Sequence, residues 1–268
     1  MKPKLMQFSP PRPAALAKSR WPAVRKGRTA VEPAASPASK LTLKSAPRRK
    51  PTTGVVPGSF PVVVMAASVG GLKALSVILG GLPADFPGAI VIVMHVAPEH
   101  KSLLAEILNC RTHLNVRQAR TGDQLLPAGV FVAPPNHHLF VIKGDRLKLS
   151  SSVSEKVHHA RPSAEPLFAS VAKLYKKNAI AVVLTGGDGD GSSGVQLIKQ
   201  QGGRVIAQDR HTSQDFSMPE SSINTGDVDF ILPLKAIAPK LIALAEAGRG
   251  LDRAQRSSEG RRAKETLC

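Results

Sequence analysis

Between residues 59 and 244, short runs of Val, Ile, Leu and Ala alternate with stretches whose apolar residues recur every three or four positions. Pro61-Val-Val-Val-Met-Ala-Ala67, Ala89-Ile-Val-Ile-Val-Met94 and Ile180 to Leu184 are strand-sized, as are Arg204 to Ala207 and Phe230 to Pro233. Leu72, Leu75, Ile78 and Leu79 predict a helix after the first run, and Leu103, Leu104, Ile107 and Leu108 one after the second. Leu167, Val171, Leu174 and Tyr175 mark a third helix, Val195 to Gln200 a fourth, and a last one ends at Leu244. Val130 to Ala133 and Leu139 to Ile142, separated by Pro134-Pro135-Asn136, predict a small antiparallel excursion near a sheet edge. Uniformly apolar strands between amphipathic helices predict one doubly wound α/β domain, a mostly parallel sheet with helices on both faces.

The flanks read differently. Residues 1–58 hold 13 Lys and Arg against one acidic residue, and 10 of the 22 prolines, with no apolar periodicity. Such a segment cannot bury enough surface to offset its ordering entropy, so a disordered basic arm is expected. It is a solvated tail or a tether for an acidic partner, a membrane surface or nucleic acid; its Arg-rich, acid-poor composition also has something of an organellar transit peptide. Residues 59–244 carry 18 basic and 14 acidic side chains and the tail 245–268 carries six and four. Most of the net charge of +18 therefore lies in the arm, and with aromatics at 4% the chain lacks the stacking residues of a specific nucleic-acid binder. No apolar run approaches the ~20 residues of a membrane span, so no membrane insertion is expected. Cys110 and Cys268 are read as reduced thiols, Cys110 buried, in a cytoplasmic protein.

Ligands of such sheets bind where strand-to-helix loops converge at the carboxyl ends of the strands. Three loops there carry reactive side chains. Ala66-Ala67-Ser68-Val69-Gly70-Gly71 puts a serine on a sharp turn, either as a nucleophile or as a helix cap or phosphate-binding turn. His95 ends the second strand, as a general base or a structural histidine. Thr185-Gly186-Gly187-Asp188-Gly189-Asp190-Gly191 offers backbone N–H groups and a carboxylate, with a metal-binding loop as the rival reading. Taken together, Ser, His and Asp form a nucleophile, a base and a group to orient the base. The histidine pairs His137-His138 and His158-His159 lack metal-ligand spacing and are expected to be solvated or on a substrate rim, so no metal or cofactor is expected.

At this point the chain resembles the catalytic domain of bacterial chemotaxis protein-glutamate methylesterases (CheB-type). The resemblance covers residues 61–244. It rests on Ala66-Ala-Ser-Val-Gly-Gly71, Leu126-Pro-Ala-Gly-Val-Phe-Val-Ala-Pro134, Arg161-Pro-Ser163, Leu184-Thr-Gly-Gly-Asp-Gly-Asp-Gly191 and Phe216-Ser-Met-Pro219. It implies Ser68 as nucleophile, His95 as base and Asp190 as orienting carboxylate, with Val69 and Gly187 at the oxyanion and Arg161 and Met218 lining the substrate cleft. It also implies a methylated receptor helix as substrate, glutamyl methyl ester hydrolysis without a cofactor, and glutamine deamidation as a side activity.

Two departures qualify the resemblance. Val69 stands where the family usually has a threonine, and Gly187-Asp188 where it has Met-Gly, so Asp188 adds a charge near a site that must hold an anion. Residues 1–58 do not resemble the receiver domain of the chemotaxis enzymes, so a stand-alone esterase without receiver control in cis is expected. The alternative is a catalytically weak domain serving as a signalling binding module, recruited through its basic arm.

Overall fold

The computed structural model describes residues 58–95, 102–151, 157 and 160–247; the arm expected over 1–58 lies outside them up to residue 57, as does the tail from 248. Its seven-stranded sheet is built from β1 (Val62–Ala67), β2 (Ala89–Met94), β3 (Asn115–Gln118), β4 (Gly129–Val132), β7 (Ala179–Val183), β8 (Arg204–Gln208) and β9 (Phe230–Leu232). The strand order is β3-β4-β2-β1-β7-β8-β9 and every pairing is parallel.

The all-apolar runs are explained by burial on both faces. Val62, Val64 and Ala66 of β1 join a core with α3 (Ala164–Tyr175) and α4 (Ser192–Gln200). Val63, Met65 and Ala67 face the opposite core, with α1 (Gly71–Gly80), α2 (Leu104–Asn109) and a helix α6 over 234–247. Leu75, Ile78 and Leu79 of α1 are fully buried. Truncating any of them to alanine costs about 2–5 kcal/mol.

β1 lies between β2 and β7, so α1 leaves β1 on one face while α4 leaves β7 on the other. The two loops part at that point and open a crevice above the carboxyl ends of the strands, the usual ligand position in an open α/β sheet.

The antiparallel element differs from the sequence expectation. β4 lies in the main sheet, parallel to β2, while β5 (Leu139–Ile142) pairs with β6 (Arg146–Leu149) in a separate hairpin packed on α3. Pro134-Pro135 supplies no N–H to a ladder. The hairpin instead turns at Gly144 and Asp145, both with positive φ. β3 escapes the apolar pattern because it is an edge strand with Asn115 and Arg117 exposed. Cys110 is exposed rather than buried, since it falls just beyond the last inward residue of α2, Leu108. The helix expected to end at Leu244 continues through 247, with Ala245 buried.

Candidate active site

Ser68 and His95 are brought side by side by strand register. Ala67 of β1 is opposite Met94 of β2, and the next residue of each strand is Ser68 and His95. The His95 amide donates to Ala67 O at 3.1 Å, and the Ser68 amide to Thr185 O at 2.9 Å on the β7 side. Gly70 adopts a φ of +80° as N-cap of α1, which lets the chain turn immediately after the serine. A side chain there would also strike Gln214.

Asp190 lies in the loop between β7 and α4 and is completely buried. Its Oδ2 accepts from His95 Nε2 at 2.9 Å and from the Ala164 amide at 2.6 Å, and its Oδ1 accepts from Ser163 Oγ at 2.6 Å. The carboxylate therefore sits on the N-terminus of α3, whose free amides and dipole favour negative charge. Burial opposes its ionisation, but the hydrogen bonds from His95, Ala164 and Ser163 prevail and hold it below the usual aspartate range. Behind it, Ser163 Oγ caps α3 by accepting from the Glu165 amide, and the Ser163 amide donates to Nδ1 of His138 at 3.3 Å. His138 is buried, contrary to the expectation of a solvated or rim histidine, because it braces this layer.

The other ring nitrogen of His95 faces a second carboxylate: Nδ1 is 3.2 Å from Asp188 Oδ2. Asp188 Oδ1 accepts from the Asp190 amide at 3.1 Å, which fixes the side chain. Burial lowers the basicity of His95, but its hydrogen bond to Asp190 and the charges of Asp188 and Asp190 outweigh this and raise its pKa. Asp188 thus meets the imidazole rather than the space above Ser68.

Opposite, the loops after β1, β7 and β8 are tied together by Thr185. Its Oγ1 reaches Val69 O and Asp215 O and accepts from the amides of Gln214 and Asp215. Gly186 is wedged between neighbours, since a Cβ there would fall 2.0 Å from Met218 Sδ and 2.9 Å from Ser68 Cβ. Met218, in α5 (Ser217–Ile223), is fully buried behind this contact. The amides of Ser68 and Gly186 are consumed by Thr185 O and Asp215 O. Those of Val69 and Gly187 have no acceptor among the described residues, and Val69 is 49% exposed. Ser68 Oγ is likewise without a hydrogen-bond partner among the described residues and borders an open cleft of about 370 Å³ with Lys73, Met94 and Arg111.

The structure thus joins His95 to Asp190, sets Ser68 beside His95 in strand register, and packs Met218 against the serine loop at Gly186, while Gly187 lies against Asp215. Arg161 stands two residues before Ser163, its guanidinium on Asn136 Oδ1 at 2.9 Å. Ser163, Thr185 and His138 were not singled out by the sequence reading as parts of the site. The signal for Ser163 was available, since Ser163-Ala-Glu165-Pro reads as a helix start. Among the described residues, no cluster of three or more His, Cys, Asp or Glu side chains could hold a metal ion, and no helix is long and apolar enough to cross a membrane.

Comparisons with known proteins bear on the family and the fold. The profile of the CheB methylesterase family matches residues 63–241. A protein-glutamate methylesterase/protein-glutamine glutaminase of Rhizobium meliloti is 39% identical over 75% of this chain and 55% of its own length. One from Caulobacter vibrioides is 34% identical over 82% of this chain and 63% of its own. The chain thus spans between about half and two thirds of these curated relatives. The crystal structure of the Thermotoga maritima CheB methylesterase catalytic domain superposes with a TM-score of 0.66 at 36% identity, covering 69% of this chain and 98% of that one.

Proposed function

The chain belongs to the CheB methylesterase family, and from that premise we propose that it hydrolyses glutamyl methyl esters on a protein, giving glutamate and methanol. The substrate is a methylated helix of a chemoreceptor-type protein, and glutamine side chains are a second substrate through the same acyl chemistry. The observation that carries the reading is the serine next to a histidine whose Nε2 is held by a buried, ionised aspartate.

Ser68 Oγ attacks the ester carbonyl carbon while its proton passes to Nδ1 of His95, the nitrogen not held by Asp190. Negative charge collects on the carbonyl oxygen, where the free amides of Val69 and Gly187 receive it. The imidazolium returns the proton to the methoxy oxygen and methanol leaves. Water then attacks the acyl-serine, giving its proton to His95, and collapse restores the Ser68 hydroxyl with release of the glutamate. Asp190 fixes the ring tautomer and stabilises the cation in both halves. Val69 has no hydroxyl, so the oxyanion relies on backbone donors alone at that position. Arg161 borders the path of the incoming helix, whereas Met218, expected at the cleft, is fully buried and backs the serine loop through Gly186.

The catalytic unit is residues 59–244, with the basic arm serving an acidic partner. The exposed thiol of Cys110 suits the reducing cytoplasm. A second reading, a weakly catalytic binding module, draws on Asp188 standing at the nitrogen that Ser68 needs. Methanol release from methylated receptor membranes separates the two. The esterase reading expects release by the wild type and a loss of ~10⁴-fold or more in Ser68→Ala and His95→Gln. Equal background from all three proteins overturns it.

A further inference from the structure

The placement of Asp188 has a consequence for how the site is switched on. An ionised carboxylate only accepts hydrogen bonds, so the Nε2 that meets Asp190 carries its proton. Nδ1, 3.2 Å from Asp188 Oδ2, faces a second anion. A neutral ring would aim its bare lone pair at that oxygen, whereas an imidazolium satisfies both carboxylates at once. The same nitrogen must be bare to take the proton of Ser68, and it cannot give a proton to Asp188 while accepting one from the serine.

We infer that Asp188 is a latch on His95: it holds the imidazole in its doubly paired, protonated form, and the site becomes competent only when Nδ1 loses its proton to solvent and the pairing with Asp188 ends. This rests on the esterase reading of Ser68 and His95. The latch is well seated, because Asp188 Oδ1 is held by the Asp190 amide. It is also able to let go, because the Asp188 side chain is 37% exposed, so water replaces the ring as its partner, whereas that of Asp190 is wholly buried. The direction of the His95 shift agrees. Among the described residues, the charged groups meeting the ring are Asp188 and Asp190, both from the β7–α4 loop; Ser68 approaches from the β1–α1 loop, and the N-terminus of α3 with Ser163 stands behind Asp190. Asp188 is accordingly a positioning residue whose removal eases activation at low pH.

The test uses the full chain with Asp188→Asn, whose Oδ1 can still accept from the Asp190 amide, and Asp188→Gly as a second variant. The ring of His95 is titrated by NMR, and kcat/KM for methanol release is followed against pH. The latch expects both variants to titrate His95 at lower pH than the wild type. On the acid limb they should show roughly five-fold more of their own plateau kcat/KM at the same pH. An unchanged His95 titration overturns the latch, even if methanol release depends on Ser68 and the esterase reading stands. A uniform fall in kcat/KM at every pH also overturns it, making Asp188 a promoter of the reaction. If the wild type releases no methanol, the esterase reading fails, and the NMR titration alone decides whether Asp188 holds the ring.

Discussion

On one side of the crevice Asp190 is sealed from solvent, receives three hydrogen bonds and sits on a helix N-terminus; on the other, Ser68 Oγ and the Val69 and Gly187 amides lack partners among the described residues. The base side is a finished polar network in a low-dielectric setting, where every partner is fixed before substrate arrives. The serine side is left unsatisfied where the tetrahedral oxygen would need donors. Preorganisation of the one and openness of the other divide the labour, since a rigid base can serve a nucleophile left open to an incoming group.

Breaking the finished side should have the largest effect. Asp190→Asn is expected to lower methanol release ~10³- to 10⁴-fold, because the amide lets His95 settle in the wrong tautomer. It should also change the pH dependence of stability. Asp190 is held below its ordinary range, so its stabilisation is present above the unfolded aspartate value and is lost as pH falls through the lowered one. His95 is raised, so its contribution is full below the unfolded histidine value and fades as pH rises through the raised one. Urea midpoints across pH should therefore vary less in Asp190→Asn than in the wild type.

Gly186→Ala tests the seam between the two sides. Its Cβ would fall 2.0 Å from Met218 Sδ, so the loop must shift, at about 1–3 kcal/mol in a denaturant titration and with loss of turnover. Met218→Ala in the same chain should recover part of the stability by making room. The smallest effect is expected from Ser163→Ala, which removes a helix cap and one bond to Asp190, about 1 kcal/mol by thermal melting. A several-fold fall in kcat with KM unchanged would show that bracing the aspartate serves the reaction as well as the helix.

The legibility of these regions also differs. Ser68 and His95 could be read from the sequence because each directly follows an apolar strand run, and parallel register does the rest. Asp190 was legible from a glycine-rich loop at the next strand end. The bracing of Asp190 was not, because Ser163 reaches it across 27 residues from a helix start and His138 in turn meets Ser163 across 25, contacts that only packing brings together. The aim of Asp188 was hidden too: composition places a charge in the loop, while only backbone geometry decides whether it meets the oxyanion space or the imidazole. The hairpin was not legible either, because two turn signals, Pro134-Pro135 and Gly144-Asp145, flank one strand, and Leu139–Ile142 pairs forward.

The proposed reaction stands on His95, oriented by Asp190, activating Ser68. A fluorophosphonate probe, read by peptide mass spectrometry, tests it without any assumption about the natural substrate. Covalent labelling is expected at Ser68 in the wild type, with the label lost in His95→Gln and reduced by orders of magnitude in Asp190→Asn. Labelling at Ser68 that is equally fast in all three proteins, or a wild type that takes up no label there, would contradict it.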